Sequence, residues 1–333
     1  MNSMILPLVT ILISFAIGMI IAPIMLRLLL LRNSKQVILH YVEQHKDKSN
    51  TPTMGGVIFI VASCITTLLI TGVEYKLAFN AVMILIAYSI IGFLDDIIKI
   101  VFKRNKGLRA YQKILSQLLV ALIATYFAYS SKYVGSSINI PMLHISLDLN
   151  WWYIPLSMFI YIAMTNGVNL TDGLDGLAGS TSAIYLIVFL VLTLREYNDA
   201  VFHGNTFYSY ELRALSIFIA ALIGGLLAFL WFNSYKAKIF MGDTGSLALG
   251  GACACVALFV KSPLLIVFVG IMFVVSCISV IIQVVNFKIK RERVFLMSPF
   301  HHHLELKGLH EAKIVSLYSI ITIIGGMVAL ILV

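Results

Sequence analysis

Residues 164–179 read MTNGVNLTDGLDGLAG and set Asn166, Asn169, Asp172 and Asp175 three residues apart. On a helix this spacing makes a stripe that drifts by about 60° per step, because neighbouring residues are about 100° apart. Gly173, Gly176 and Gly179 argue that part of the stretch is instead a loop with its backbone open to a ligand. Amide and carboxylate side chains together can hydrogen-bond a base edge and ribose hydroxyls. Capping of a following helix by Asp175 is the plainer alternative, but a cap needs one such residue and here there are four.

Four further stretches carry chemistry. In Phe93-Leu-Asp95-Asp96-Ile-Ile-Lys99 the two acids point about 100° apart on a helix. One can face a metal or substrate while the other takes a second role; the alternative is a solvated helix end paired with Lys99 or Lys103. Phe240-Met-Gly-Asp243-Thr-Gly-Ser246 precedes an apolar run. Amides at a helix start attract phosphate, and a carboxylate there can hold Mg²⁺ bridging phosphates. Phe240 is placed to stack on a ring, although Asp243 or Thr244 could simply be an N-cap. The three imidazoles of Pro299-Phe-His301-His302-His303-Leu-Glu305 diverge too much for a shared Zn²⁺ and suit a polar surface facing phosphate or sugar. Thr51-Pro-Thr53-Met-Gly-Gly56, after Lys46 and Lys48, is a glycine-tight helix start beside basic residues.

The elements that must position these residues belong to lipid. The 333-residue chain is 60% hydrophobic and 12% charged, with a mean hydropathy of +0.97. A helix needs roughly 20 apolar residues to cross the bilayer core. Ten stretches meet or approach this length, at about 4–31, 54–72, 78–98, 112–130, 151–166, 177–194, 213–233, 244–260, 263–287 and 312–333. Backbone in lipid must bond to itself, so the predicted fold is an all-α polytopic membrane protein of about ten transmembrane helices. With both termini extracytoplasmic, every Lys and Arg except Lys76, Lys132, Arg195, Arg213 and Lys261 falls on or beside the inner face. The net charge of +9 reflects this asymmetry and an attraction to anionic headgroups. It is no sign of nucleic-acid binding, because no soluble basic domain exists. Cys64, Cys253, Cys255 and Cys277 fall within spans and read as small core residues.

A single membrane domain, residues 1–333, follows, with its cleft built from the inner loops at about 32–53, 99–111, 167–176, 234–243 and 288–311. On the outer side, the alternation of 145–150 after Pro141 predicts a small surface hairpin, and 195–213 an interfacial helix. Asp95, Asp96, Asp172, Asp175 and Asp243 all lie near inner helix ends. A carboxylate at mid-bilayer costs at least about 2.5 kcal/mol, so gathering them at one boundary favours a site there. A cation-coupled transporter is disfavoured, since no mid-span acid continues a path to the other face.

TPTMGG, FLDD, NLTDGLDGLAG, MGDTGS and PFHHHLE, in this order, closely resemble the motifs of the phospho-N-acetylmuramoyl-pentapeptide transferases. These translocase I enzymes are a branch of the bacterial polyprenyl-phosphate N-acetylhexosamine 1-phosphate transferases. The resemblance runs from about 46 to 311, and the histidine motif points to the muramoyl-pentapeptide branch rather than a relative using another UDP-sugar. It implies transfer of phospho-MurNAc-pentapeptide from UDP to undecaprenyl phosphate at the cytoplasmic face of the bacterial cell membrane, with Mg²⁺ as cofactor and UMP released. Asp243 would be the main metal ligand, with Asp95 and Asp96 at the reacting phosphates. Lys48, Asn169, Asp172, Asp175 and Phe240 would form the uridine-side pocket, Lys99 and Lys103 border the nucleotide cleft, and His301, His302 and His303 face the phospho-sugar and peptide. Thr53, Asn166 and Gln283 would complete the substrate-binding set. A homodimer and inhibition by nucleoside antibiotics are also implied. One-step transfer and a covalent two-step route both remain open.

Overall fold

Backbone polar groups in hydrocarbon can be satisfied only within their own segment or a closed sheet, which turns the apolar runs into helices. The computed structural model describes residues 4–31, 51–102, 107–143 and 145–333; Lys48 and Lys103 lie outside them. In chain order come α1 (Ile5–Leu31), α2 (Val57–Thr71), α3 (Lys76–Val101), α4 (Ala110–Ser130), β1 (Ser137–Ile140), β2 (Ile145–Asp148), α5 (Tyr153–Thr171), α6 (Leu177–Phe202), α7 (Thr206–Asn233), α8 (Gly242–Phe259), α9 (Ile266–Val269), α10 (Ile271–Lys290), α11 (Phe300–Leu306) and α12 (Glu311–Ile331). Among the described residues, eight helices are long and apolar enough to cross a membrane: α1, α3, α4, α6, α7, α8, α10 and α12. The 15-residue α2 and the 19-residue α5 occupy the other two of the ten expected positions.

Two expectations change. The 195–213 stretch is no separate interfacial helix: α6 runs on to Phe202, a short turn follows, and α7 begins at Thr206. Polar residues lengthen helices whose cores are already formed, because extending an existing helix avoids the cost of a new nucleus. The ninth expected span is broken at Gly270, between the single turn of α9 and α10.

The centre is α8. Every residue from Thr244 to Phe259 is buried, so the helix is covered all round by others. Small residues permit this: Gly250 abuts the Met164–Thr165 backbone of α5, and Gly251 the Tyr88 ring of α3.

The bundle has two distinct ends. β1 and β2 form the expected antiparallel hairpin, pairing Ser137 with Asp148 and Ile140 with Ile145. Asn139 N–H reaches the Lys261 carbonyl just past the end of α8, and Met142 N–H the Leu332 carbonyl after α12. α1 runs parallel to α7, with Ser14 Oγ donating to the Ala221 carbonyl at 2.6 Å and Gly18 against Gly225 and Ala228. The start of α7 lies beside that of α3, where Glu211 accepts from Lys76 N–H at 3.2 Å and Leu77 N–H at 2.8 Å. Ile5 and Leu332 thus lie at the hairpin end. Asp95 and Asp96, one helix length along α3, lie at the other end with Asp243.

Candidate active site

Asp96, near the end of α3, aims its carboxylate at the start of α8. It accepts from Asp243 N–H (3.2 Å), Thr244 N–H (2.9 Å) and Thr244 Oγ1 (2.7 Å). α8 has no side-chain cap of its own. An anion from another helix therefore supplies both the missing acceptor and the charge that a helix N-terminus favours. The sequence expectation that these amides attract a substrate phosphate is corrected: Asp96 already occupies them.

Asp95 diverges from Asp96, as helix geometry requires. Its Oδ1 accepts from Leu108 N–H at 2.8 Å and its Oδ2 pairs with Lys99 at 2.6 Å. Asp243 takes the remaining centre. Its Oδ2 is contacted by Lys99 Nζ at 3.0 Å and Lys113 Nζ at 2.6 Å, and its Oδ1 accepts from Asn169 Nδ2 at 2.8 Å. Asp95, Asp96 and Asp243 can each offer one oxygen, all within 4.8 Å of one another. Three carboxylates face two ammonium groups, an all-oxygen donor set around positions that cations already occupy. That chemistry fits a hard divalent ion such as Mg²⁺.

Lys113 is the site residue the sequence reading missed. From sequence it is one of many inner-face charges. The signal was its place in the first turn of α4, one turn after Arg109, in a helix that packs on both α3 and α5.

Close helix contact holds the cluster together. Gly92 of α3 lies against the Asp243 backbone, where a Cβ would collide with the Asp243 carbonyl and Thr244 nitrogen. Gly92→Ala should lower stability by about 1–3 kcal/mol, the usual range for overpacking, and abolish activity with it. Thermal unfolding in detergent checks this; an unchanged midpoint with full activity would show that α3 and α8 can part there.

The TPTMGG segment packs on the same helix start. Gly55 N–H donates to the Phe240 carbonyl (2.8 Å), Gly56 N–H to the Met241 carbonyl (3.0 Å) and Phe240 N–H to the Pro52 carbonyl (2.8 Å). Buried Thr53 sits beside Gly242, and Phe240 is half-buried.

The four polar residues of 166–175 separate into different tasks. Asn166 donates to Gln117 Oε1 of α4 at 2.8 Å, and Asn169 also donates to Ser246 Oγ at 2.8 Å. Asp175 accepts from Ala237 N–H at 3.0 Å. Asp172, just past the end of α5, has no hydrogen bond or salt bridge to its carboxylate among the described residues. Desolvation, followed by the charges of Asp243, Asp96 and Asp175, pushes its carboxyl up to about 8. The stripe therefore does not present four groups to a ligand; helical structure lasts to Thr171 and three of the four bind protein.

The histidines divide similarly. His301 is fully buried, packed on Gly173 and Tyr318, and burial followed by the His302 charge pushes its pKa down to about 3, leaving it neutral. His302 meets Glu305 Oε2 at 3.0 Å, and His303 Nδ1 accepts from Leu296 N–H at 3.1 Å. The expected polar surface is thus corrected for His301, which lies beneath the 172–176 turn because adjacent imidazoles on α11 must point to different sides. Gln283 has its amide engaged, accepting from Val294 and Phe295 N–H (3.1 and 2.9 Å) and donating to the Phe295 carbonyl (3.0 Å). It secures the segment between α10 and α11.

The family model described as glycosyl transferase family 4 matches residues 77–261, and the phospho-N-acetylmuramoyl-pentapeptide-transferase signature 1 matches residues 48–60. A phospho-N-acetylmuramoyl-pentapeptide-transferase of Clostridium novyi (strain NT) is 44% identical over 319 residues, covering 95% of this chain and 93% of that relative. Proteins of the same description are 45% identical in Clostridium botulinum (strain Eklund 17B / Type B), over 94% of this chain and 92% of the relative, and 43% identical in Clostridium kluyveri (strain NBRC 12016), over 95% of each.

Proposed function

Since this chain belongs to the phospho-N-acetylmuramoyl-pentapeptide-transferases within glycosyl transferase family 4, we propose that its acid-lined end carries out that family's reaction with Mg²⁺. The protein is a multi-span membrane transferase of peptidoglycan synthesis. It moves phospho-MurNAc-pentapeptide from UDP-MurNAc-pentapeptide to undecaprenyl phosphate, giving lipid I and UMP. An oxygen of the lipid phosphate forms a bond to the sugar-linked phosphorus, and the bond from that phosphorus to the UMP phosphate oxygen breaks.

The observation that carries the reading is the Asp243 carboxylate clasped by Lys99, Lys113 and Asn169, with Asp95 and Asp96 close by. Two anions must approach each other, so the site has to offer positive field and fixed geometry. Asp243, with Asp95 beside it, would hold the metal. A bound Mg²⁺ supplies charge neutralisation to the diphosphate and the departing UMP. Lys99 and Lys113 add fixed positive charge at the same place. Asp96 keeps α8 seated and therefore fixes where Asp243 stands. Asp172 and Phe240 border the uridine side, and the 299–305 segment borders the phospho-sugar side.

The acid end faces the cytoplasm in this proposal, because the excess of Lys and Arg lies with it, and the membrane is the bacterial inner membrane. The homodimer and inhibition by nucleoside antibiotics belong to the same reading.

Purified protein mixed with undecaprenyl phosphate, UDP-MurNAc-pentapeptide and Mg²⁺ should release UMP, and EDTA should stop it. Turnover of UDP-N-acetylglucosamine in place of the muramoyl substrate would reassign the donor. Cation flux in proteoliposomes without UMP release would overturn the reaction.

A further inference from the structure

The turn that presents Asp172 has to satisfy two amides before α6 begins. Its residue preceding α6, Gly176, has no side chain to cap with and adopts φ +76°, a left-handed conformation that glycine takes without strain. The two amides are taken by side chains of distant helices. Asp175 N–H donates to Glu311 Oε1, from the first turn of α12, and Gly176 N–H to Asn233 Oδ1 at 3.1 Å, from the end of α7.

The same residues hold the segment that presents Phe240. Asp175 Oδ2 accepts from Ala237 N–H at 3.0 Å, and Asn233 Nδ2 donates to the Ile239 carbonyl at 2.9 Å. Next to Glu311, His310 Nε2 meets the Tyr235 hydroxyl at 3.2 Å. The start of α12 is thereby fastened to both the 172–176 turn and the segment carrying Phe240.

A carboxylate as buried as Glu311, 9% exposed, is costly unless a strong partner offsets its desolvation. The hydrogen bond to Asp175 N–H is charge-assisted, and it satisfies an amide that would otherwise be buried without a partner. The negative charge also sits near the N-termini of both α6 and α12, where the helix dipole favours it.

We propose that Glu311 is a positioning residue for the donor nucleotide. By accepting Asp175 N–H it sets the 172–176 turn, and through the Asp175–Ala237 bond it sets that turn against the segment carrying Phe240. It touches no reacting atom. The inference rests on the reading of Asp172 and Phe240 as the uridine-side pocket.

The test compares the full-length wild type with E311A, E311Q and E311D, using UMP affinity by calorimetry and steady-state kinetics against both substrates. E311A should raise the Kd for UMP and the KM for UDP-MurNAc-pentapeptide by about tenfold or more, the scale of one lost charge-assisted bond. Its kcat and its KM for undecaprenyl phosphate should change by no more than about threefold. E311Q keeps an acceptor oxygen and should remain close to wild type, and E311D, one methylene shorter, should fall between. If E311A does not fold, E311D against E311Q makes the same comparison. Unchanged UMP affinity in the folded E311A or E311D variants overturns the proposal. So does a parallel loss in kcat and both KM values, or an E311Q as weak as E311A. Failure of the wild type to bind UMP would instead sink the reading of the pocket.

Discussion

Asp243→Ala should cost about 10³-fold in UMP release at pH 8.5, equivalent to about 4 kcal/mol, whereas Asp95→Asn should cost far less under the same conditions. Asp243 is the convergence point of Lys99, Lys113 and Asn169, so its removal takes away the proposed metal ligand and leaves two cations without their shared anion. Asp95 has a narrower task if its role is that of a base. A phosphate monoester has its second pKa near 6, so at pH 8.5 the lipid phosphate is already dianionic and has no proton to surrender. The amide of Asp95→Asn can still accept from Leu108 N–H, which preserves the local fold. Equal losses at pH 8.5 would refute this ranking. They would return Asp95 to the chemistry itself, including the covalent route. Asp96 is poorly placed for that route, because both its oxygens are engaged by the start of α8.

Lys113→Met carries the second large effect: kcat should fall by about 10²-fold, the lower range for removing one donor aimed at developing charge. Lys113 Nζ lies 2.6 Å from Asp243 Oδ2, closer than Lys99 Nζ at 3.0 Å. An ammonium at that oxygen competes with a metal for the same lone pairs, and its loss leaves the site more negative. The Mg²⁺ concentration for half-maximal activity should therefore fall even as turnover drops. These opposite signs separate an electrostatic role from simple damage, which would weaken both. A rise in the Mg²⁺ requirement, with monodisperse protein and unchanged thermal stability, would remove Lys113 from the cluster's electrostatics.

Much of this protein was legible in the residues alone. Apolar run lengths located the helices, eight of them among the described residues long and apolar enough to cross a membrane, because a bilayer imposes one length scale on its spans. The hairpin followed from alternation after Pro141. Convergence of Asp95, Asp96 and Asp243 could be expected because their segments all end on one side, and the structure places them together.

What each acid does there was not legible. Glu211 closes the start of α3, Asp96 the start of α8 and Glu311 the turn into α6, and none of these three helices has a side-chain cap of its own. A cap in the local sequence can be recognised by spacing, but one supplied across the bundle depends on which helix packs alongside. Lys113 escaped notice for the same reason, and Asn166 and Asn169 proved to be cross-links rather than free ligand groups. Residue type and hydropathy determined which groups would be buried near one membrane face. Only the packing of α3, α4, α5, α7 and α12 around α8 and the start of α6 decided which of them bind protein and which stay open to a substrate, since a buried polar group takes whatever partner the neighbouring backbone offers.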